Sequence, residues 1–177
     1  MSAVLWIAVL DKRIMAVGTY YLNDPHAPKP NSPTRIGTNV LLEWDGKLLL
    51  ERRWDCGHWG LPGGRLRKGE AYATGISREV REELGIYLPE NAFRKIKVFD
   101  DDRIAAYADG TVWRMVIILF HAKLDRAPCL TISRESTELR FFSPEEIKTI
   151  EIVTTHQDLV EYWNSSGSNQ FSGNHSV

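Results

Sequence analysis

The apolar positions of this chain fall into short runs broken by glycine, proline and aspartate. That is a rhythm of strands and turns rather than of long helices. Residues 3–22 are apolar without a clean period. The tyrosines and β-branched residues favour strands over 3–10 and 14–22, joined at Asp11-Lys12-Arg13, over a single helix. Such a segment must be covered either by the core or by a second copy, the latter making a homodimer. Pro25, Pro28, Pro30 and Pro33 then make an extended connector.

Residues 35–53 predict a β-hairpin. Val40, Leu41 and Leu42 lead to Trp44, Asp45-Gly46 makes the turn, and Leu48, Leu49 and Leu50 return. Residues 54–60 form a compact loop. Residues 71–84 predict a helix with Ala73, Ile76, Val80 and Leu84 on one side and Gly85 as its stop. A strand over 93–99 follows, with Asp100, Asp101 and Asp102 as a solvated turn. After Ala108-Asp109-Gly110 comes a long return strand, 111–124, rich enough in Val, Ile and Phe to be central. A loop over 125–137 leads to a short strand at 138–142. Ser143 caps a helix with Pro144 at its first position. A second short helix spans 155–163, and the Ser/Asn/Gly-rich tail is loosely held. The order implies an α+β domain, a mixed sheet flanked by helices. Its expected parts are an apolar segment with connector (1–34), the domain proper (35–163) and the tail (164–177).

The 177 residues suffice for one core. A net charge of −1 argues against non-specific coating of nucleic acid, which needs a basic footprint, but leaves room for a small phosphorylated ligand. Cys56 and Cys129 are too few and too isolated for a disulfide framework, and neither has zinc-site spacing. The apolar N-terminal run is far short of the roughly 20 residues of a membrane span. It also lacks the basic leader of a signal peptide. A cytoplasmic location is the expectation.

The chemistry concentrates in residues 61–86. Glu79 and Glu83 are four residues apart on the expected helix, and Glu82 borders the same face. Like charges at this spacing cost the helix a few tenths of a kcal/mol per pair, roughly, and a cation between them offsets that. With oxygen ligands alone, Mg²⁺ or Mn²⁺ fits better than zinc. Gly63-Gly64 allows a backbone carbonyl to join such a shell. Arg78 suits a bidentate pair with a carboxylate such as Glu70. The plain alternative is a solvated helix face with Arg78 and Arg81 as counter-ions.

A family resemblance weighs against the plain alternative. Gly64, five residues, Glu70, seven residues, Arg78-Glu79-Val80, one residue, Glu82-Glu83, one residue, Gly85-Ile86 resembles the signature box of the Nudix hydrolases at every fixed position. The preceding hairpin and the WGLPGG approach also resemble that superfamily. The 133–147 segment is similar to its MutT-like and ADP-ribose pyrophosphatase-like bacterial branch. The resemblance implies an α/β/α sandwich and Mg²⁺-dependent hydrolysis of a nucleoside diphosphate linked to another group X. It implies Glu79 and Glu83 as principal metal ligands, Glu82 as a further ligand, and the Gly63 carbonyl beside them. Gly64, Glu70, Arg78 and Gly85 become structural members of the box.

Family members take their general base either from the box or from a later loop. Glu135 and Glu138 are the later candidates here, and Glu138 joins Glu79, Glu82 and Glu83 in the expected catalytic set. Arg52 and Arg53 are candidates for substrate phosphates, and Trp54 for stacking on a base. Trp59 reads as core, His58 as an exposed loop residue and His121 as a satisfied core histidine. The expected partner is a small nucleoside diphosphate derivative such as ADP-ribose or a nucleoside triphosphate, with neither membrane nor nucleic acid. Two competing functions are a silent nucleotide-binding module and an RNA 5′-end hydrolase. The intact glutamates weigh against the first, and the near-neutral charge against the second.

Overall fold

A computed structural model describes residues 17–170, with side chains to Ser165. The strand expected over 3–10, with its dimer surface, lies outside the described residues, as does the end of the tail.

The hairpin forms where its turn dictates. Strands β1 (Gly18–Leu22), β2 (Arg35–Trp44) and β3 (Lys47–Arg53) open the described chain. Asp45 and Gly46 both take positive φ, 51° and 68°, the geometry of a type I′ turn. Two short strands follow, β4 (Trp59–Gly60) and β5 (Gly63–Arg65), and then helix α1 (Tyr72–Leu84). Gly85 ends α1 in the left-handed region and returns its N–H to the Arg81 carbonyl. The rest is β6 (Arg94–Tyr107), β7 (Val112–Lys123), β8 (Ser136–Phe142), one turn of helix α2 (Pro144–Ile147) and α3 (Gln157–Gln170). Ser143 and Glu146 close a reciprocal capping box at α2.

The strands form one mixed sheet in the order β1-β6-β7-β2-β3-β4, with β5 added to β2 and β8 to β3. The β2–β7 pair is parallel and the other pairs are antiparallel. Alternation along β2 sends Val40 and Leu42 to one face and Leu41 to the other. Val40 and Leu42 pack with Ile76, Val80 and Leu84 of α1. Leu41 packs with Leu159, Val160 and Trp163 of α3. Two helices thus cover two faces of one sheet, as the α/β/α expectation required. Trp59 is in the core, edge-on to Phe142 at 4.7 Å between centroids.

Four expectations need correction. Residues 18–22 are not a separate segment, since β1 pairs with β6 along its length. The helix expected at 155–163 continues to Gln170, into the region read as tail. The strand expected at 138–142 starts two residues earlier, at Ser136. Asp100–Asp102 is not a turn, because β6 runs through it with a register shift between Phe99 and Arg103. Arg103 explains the last. It is fully buried, pairs with Asp101, and reaches Asp158 and the Thr155 carbonyl. Asp101 serves a buried guanidinium, and Asp100 pairs with Arg114 instead.

Candidate active site

Strand β5 positions the glycines. Gly63 lies opposite Asn39 and Gly64 opposite Thr38 on β2. The approach is tied down on both sides. Asn39 Nδ2 donates to the Leu61 carbonyl at 3.1 Å, and the Leu61 N–H donates to His156 Nδ1 at 3.0 Å. Burial holds the His156 pKa down to about 3, so the ring is neutral and available as that acceptor. Gly63 has φ 143°, and a Cβ there would lie 2.0 Å from the Thr38 carbonyl oxygen. A Cβ on Gly64 would lie 2.6 Å from the Glu79 carboxyl carbon. Glycine is required at the first for its backbone and at the second for the carboxylate laid against it.

Arg78 organises the acids. Its Nε and Nη2 hold both oxygens of Glu70, at 2.7 and 2.9 Å, the bidentate pair expected from the spacing. Its Nη1 reaches Glu79 at 2.6 Å and Glu82 at 3.1 Å. The Arg78 hydrogen bonds drop the Glu70 pKa to about 2. The guanidinium side chain is only 10% exposed, so this is no solvated helix face.

Glu83 is different. It is 5% exposed, and its Oε2 accepts the Gly63 N–H at 2.9 Å. Burial raises its pKa well above the ordinary value, and the charge of Glu51 raises it further. Glu51, on β3, is 2% exposed and accepts from Ser136 Oγ at 2.6 Å. Burial lifts its pKa to about 7, against the Ser136 hydrogen bond and Arg53. Burial also raises Glu79, against Arg78. Sequence reasoning missed Glu51. The only signal available was a carboxylate ending an otherwise apolar run, Leu48-Leu49-Leu50.

The later-loop candidates separate. The charge of Glu135 is felt by Glu51, Glu79 and Glu83; both Glu135 and Glu138, the latter on β8, are exposed. The Trp54 N–H donates to the Glu135 carbonyl at 2.9 Å and so anchors that loop. A solvent-open cleft runs past Gly63 and Gly64. Of the three expected substrate contacts, Arg53 lines it. Arg52 instead donates to the Gly57 carbonyl, and Trp54 is not among the lining residues. Arg53 is also held bidentately by Asp55, at 3.0 and 2.8 Å, and touches the Tyr20 hydroxyl. His58 is half exposed beside Glu151, and His121 is buried against Glu43.

The donor set at α1 and β5 is all oxygen, which suits a hard divalent cation. Among the described residues no three acidic, His or Cys side chains converge as a formed metal shell. Arg78 occupies Glu79 and Glu82 in their stead.

The fold and this box define a hydrolase of phosphoric anhydrides. The NUDIX domain profile matches residues 33–163, and the chain belongs to that family. It is 33% identical to a MutT-like protein of Streptomyces ambofaciens over 128 residues, 72% of this chain and 75% of that one. It is 32% identical to the nucleoside triphosphatase NudI of an Enterobacter species over 108 residues, 60% and 76% of the two chains. Among solved structures, it resembles a bifunctional NMN adenylyltransferase/ADP ribose pyrophosphatase of Francisella tularensis, with TM-score 0.62 and 22% identity. That match covers 76% of this chain and 42% of the larger protein, and it speaks to the fold alone. Nudix hydrolases of this kind cleave nucleoside diphosphate derivatives and generally need a divalent cation.

Proposed function

We propose that the protein is a Mg²⁺-dependent pyrophosphohydrolase. Its substrate is a nucleoside diphosphate linked to X, where X is a further phosphate or a sugar, as in ADP-ribose. The observation that carries this reading is Glu83, a buried carboxylate tethered to the Gly63 amide and facing the charge of a second buried carboxylate, Glu51. Two such groups without a cation are costly, and a divalent ion offsets the cost. Mn²⁺ satisfies the same oxygen donors.

Glu79, Glu82 and Glu83, with the Gly63 carbonyl, are the residues to hold the metal. Bound there, it would neutralise phosphate charge and lower the pKa of a water. Glu79 and Glu82 are kept close to the site by Arg78. Arg53 lines the cleft as a cation for a substrate phosphate. Glu135 is our choice over Glu138 to accept the proton from the attacking water, since its charge reaches the site glutamates. Water adds to phosphorus, the bridging P–O bond breaks, and NMP and phosphorylated X leave. The NudI relatives favour a nucleoside triphosphate as substrate. The free Cys56 and Cys129 accord with a reducing, cytoplasmic setting. Among the described residues no helix is long and apolar enough to cross a membrane.

A substrate panel tests the reading. Nucleoside triphosphates, ADP-ribose, dinucleoside polyphosphates and nucleotide sugars are assayed with Mg²⁺, Mn²⁺ or EDTA. NMP release with metal and none with EDTA is expected. Failure to turn over any member would favour a silent binding module.

A further inference from the structure

The cleft that runs past Gly63 and Gly64 also carries two arginines whose guanidiniums the glutamates do not engage. Arg35 starts β2 and Arg65 ends β5, and Gly37 pairs with Arg65 across that ladder. Both arginines line the cleft. Both also stand beside the same indole. The Arg35 Cζ lies 3.6 Å from the Trp113 ring centroid, and the Arg65 Cζ lies 5.9 Å from it. Stacking on the ring face braces a guanidinium while leaving its N–H edge able to donate. Tyr107 lies on the same side, 5.9 Å from the Arg35 Cζ.

Neither arginine makes an ion pair with a described residue. Asp109 feels the charge of Arg35, but its carboxylate is exposed and accepts the Thr111 N–H. The Arg35 Nε is buried and has no hydrogen-bond partner. Burial, and then the charge of Arg65, lowers the Arg35 pKa despite the nearby tyrosine. Two guanidiniums are therefore held close together in a cleft without a counter-ion. Arg78 shows the contrast, with three carboxylates around one guanidinium.

We propose that Arg35 and Arg65, braced on Trp113, form an anion subsite that takes a phosphate of the substrate lying beyond the bond that breaks. The subsite rests on the hydrolase reading above for its place in the reaction, and it selects between the two kinds of X. A nucleoside triphosphate presents an additional phosphate there. ADP-ribose presents an uncharged sugar. Planar guanidiniums favour phosphate through paired N–H donors, which a lysine cannot reproduce.

The test measures binding and turnover separately. Metal-free protein in EDTA is titrated calorimetrically with ATP, ADP-ribose, AMP and inorganic tripolyphosphate. Wild type is compared with Arg35→Gln, Arg65→Gln and Arg35→Lys, each first checked for an unchanged melting temperature. ATP and tripolyphosphate are expected to bind wild type more tightly than AMP. Each glutamine variant should lower the ATP/ADP-ribose affinity ratio by roughly 10- to 100-fold, and Arg35→Lys should recover only part of it. The wild-type preference should also weaken as salt is raised. If a glutamine variant does not fold, the lysine variant and the salt series still decide. Equal losses for ATP and ADP-ribose, or no loss for either, would overturn the subsite. Arginine-dependent tripolyphosphate binding in a protein that hydrolyses no nucleotide would keep the subsite and reject the hydrolase reading. Hydrolysis indifferent to both arginines would do the reverse.

Discussion

Glu83 Oε2 accepts the Gly63 N–H at 2.9 Å, a bond between the last turn of α1 and a glycine 20 residues earlier. It makes the glycine loop and the acidic helix one unit. Gly63 and Gly64 then predict different failures. Gly63→Ala forces a side chain against the Thr38 backbone at positive φ and should destabilise the protein by roughly 3 kcal/mol or more. Excess Mg²⁺ should not rescue it. Gly64→Ala meets only the movable end of Glu79, so the fold should survive at a cost of about 1 kcal/mol. Metal affinity should fall by roughly 10- to 100-fold, with activity recovered at high Mg²⁺. Thermal melts and metal titrations separate the two.

The carboxyl of Glu51 gives a pH signature. Its pKa is raised from 4.5 to about 7, so the folded state holds its proton more tightly than the unfolded chain. The stability it contributes is complete below about pH 4.5 and is lost as pH rises through about 7. His156, lowered from 6.5 to about 3, gives the opposite slope below pH 6.5. The quantity to follow is therefore the difference between wild type and Glu51→Gln in EDTA. Wild type should lose ground to the variant by on the order of 2–3 kcal/mol between pH 4.5 and 8. Urea melts across that range measure it, and a difference independent of pH would contradict the buried acid.

Arg103 should matter to stability and little to chemistry. It is fully buried and bridges β6 to the start of α3 through Asp101, Asp158 and the Thr155 carbonyl. Arg103→Met removes a buried partner from two carboxylates that are each about a third exposed. The expected loss is about 3 kcal/mol, the low end for breaking a buried pair. Urea unfolding checks it, and KM at a temperature where the variant is folded should be unchanged.

These residues also mark what the sequence could and could not disclose. The Asp45-Gly46 turn, the Gly85 stop and the Ser143 cap are local devices, settled by residues within a few positions of one another. The box is local too, because Glu70, Arg78 and the glutamates lie within one loop and one helix. Glu51 was not legible, since its hydrogen-bond partner Ser136 is 85 residues away and its neighbours on β3 are buried on both faces. Asp100–Asp102 misled for the same reason. Asp158, which shares Arg103 with Asp101, is 55 residues beyond that arginine. The stacking of Arg35 on Trp113 joins β2 to β7 and has no local signature either. Short-range chemistry was readable, while long-range charge pairing waited for the sheet.

The central claim is that Glu83 helps hold a catalytic metal at the glycine loop. The direct measurement is NMP release from a nucleoside triphosphate by wild type and Glu83→Gln, each titrated with Mg²⁺, with Mn²⁺ affinity read in parallel. The account predicts a folded variant whose kcat falls at least on the order of 100-fold and whose Mn²⁺ binding is weakened. Unchanged turnover and metal binding in a folded Glu83→Gln protein would contradict it.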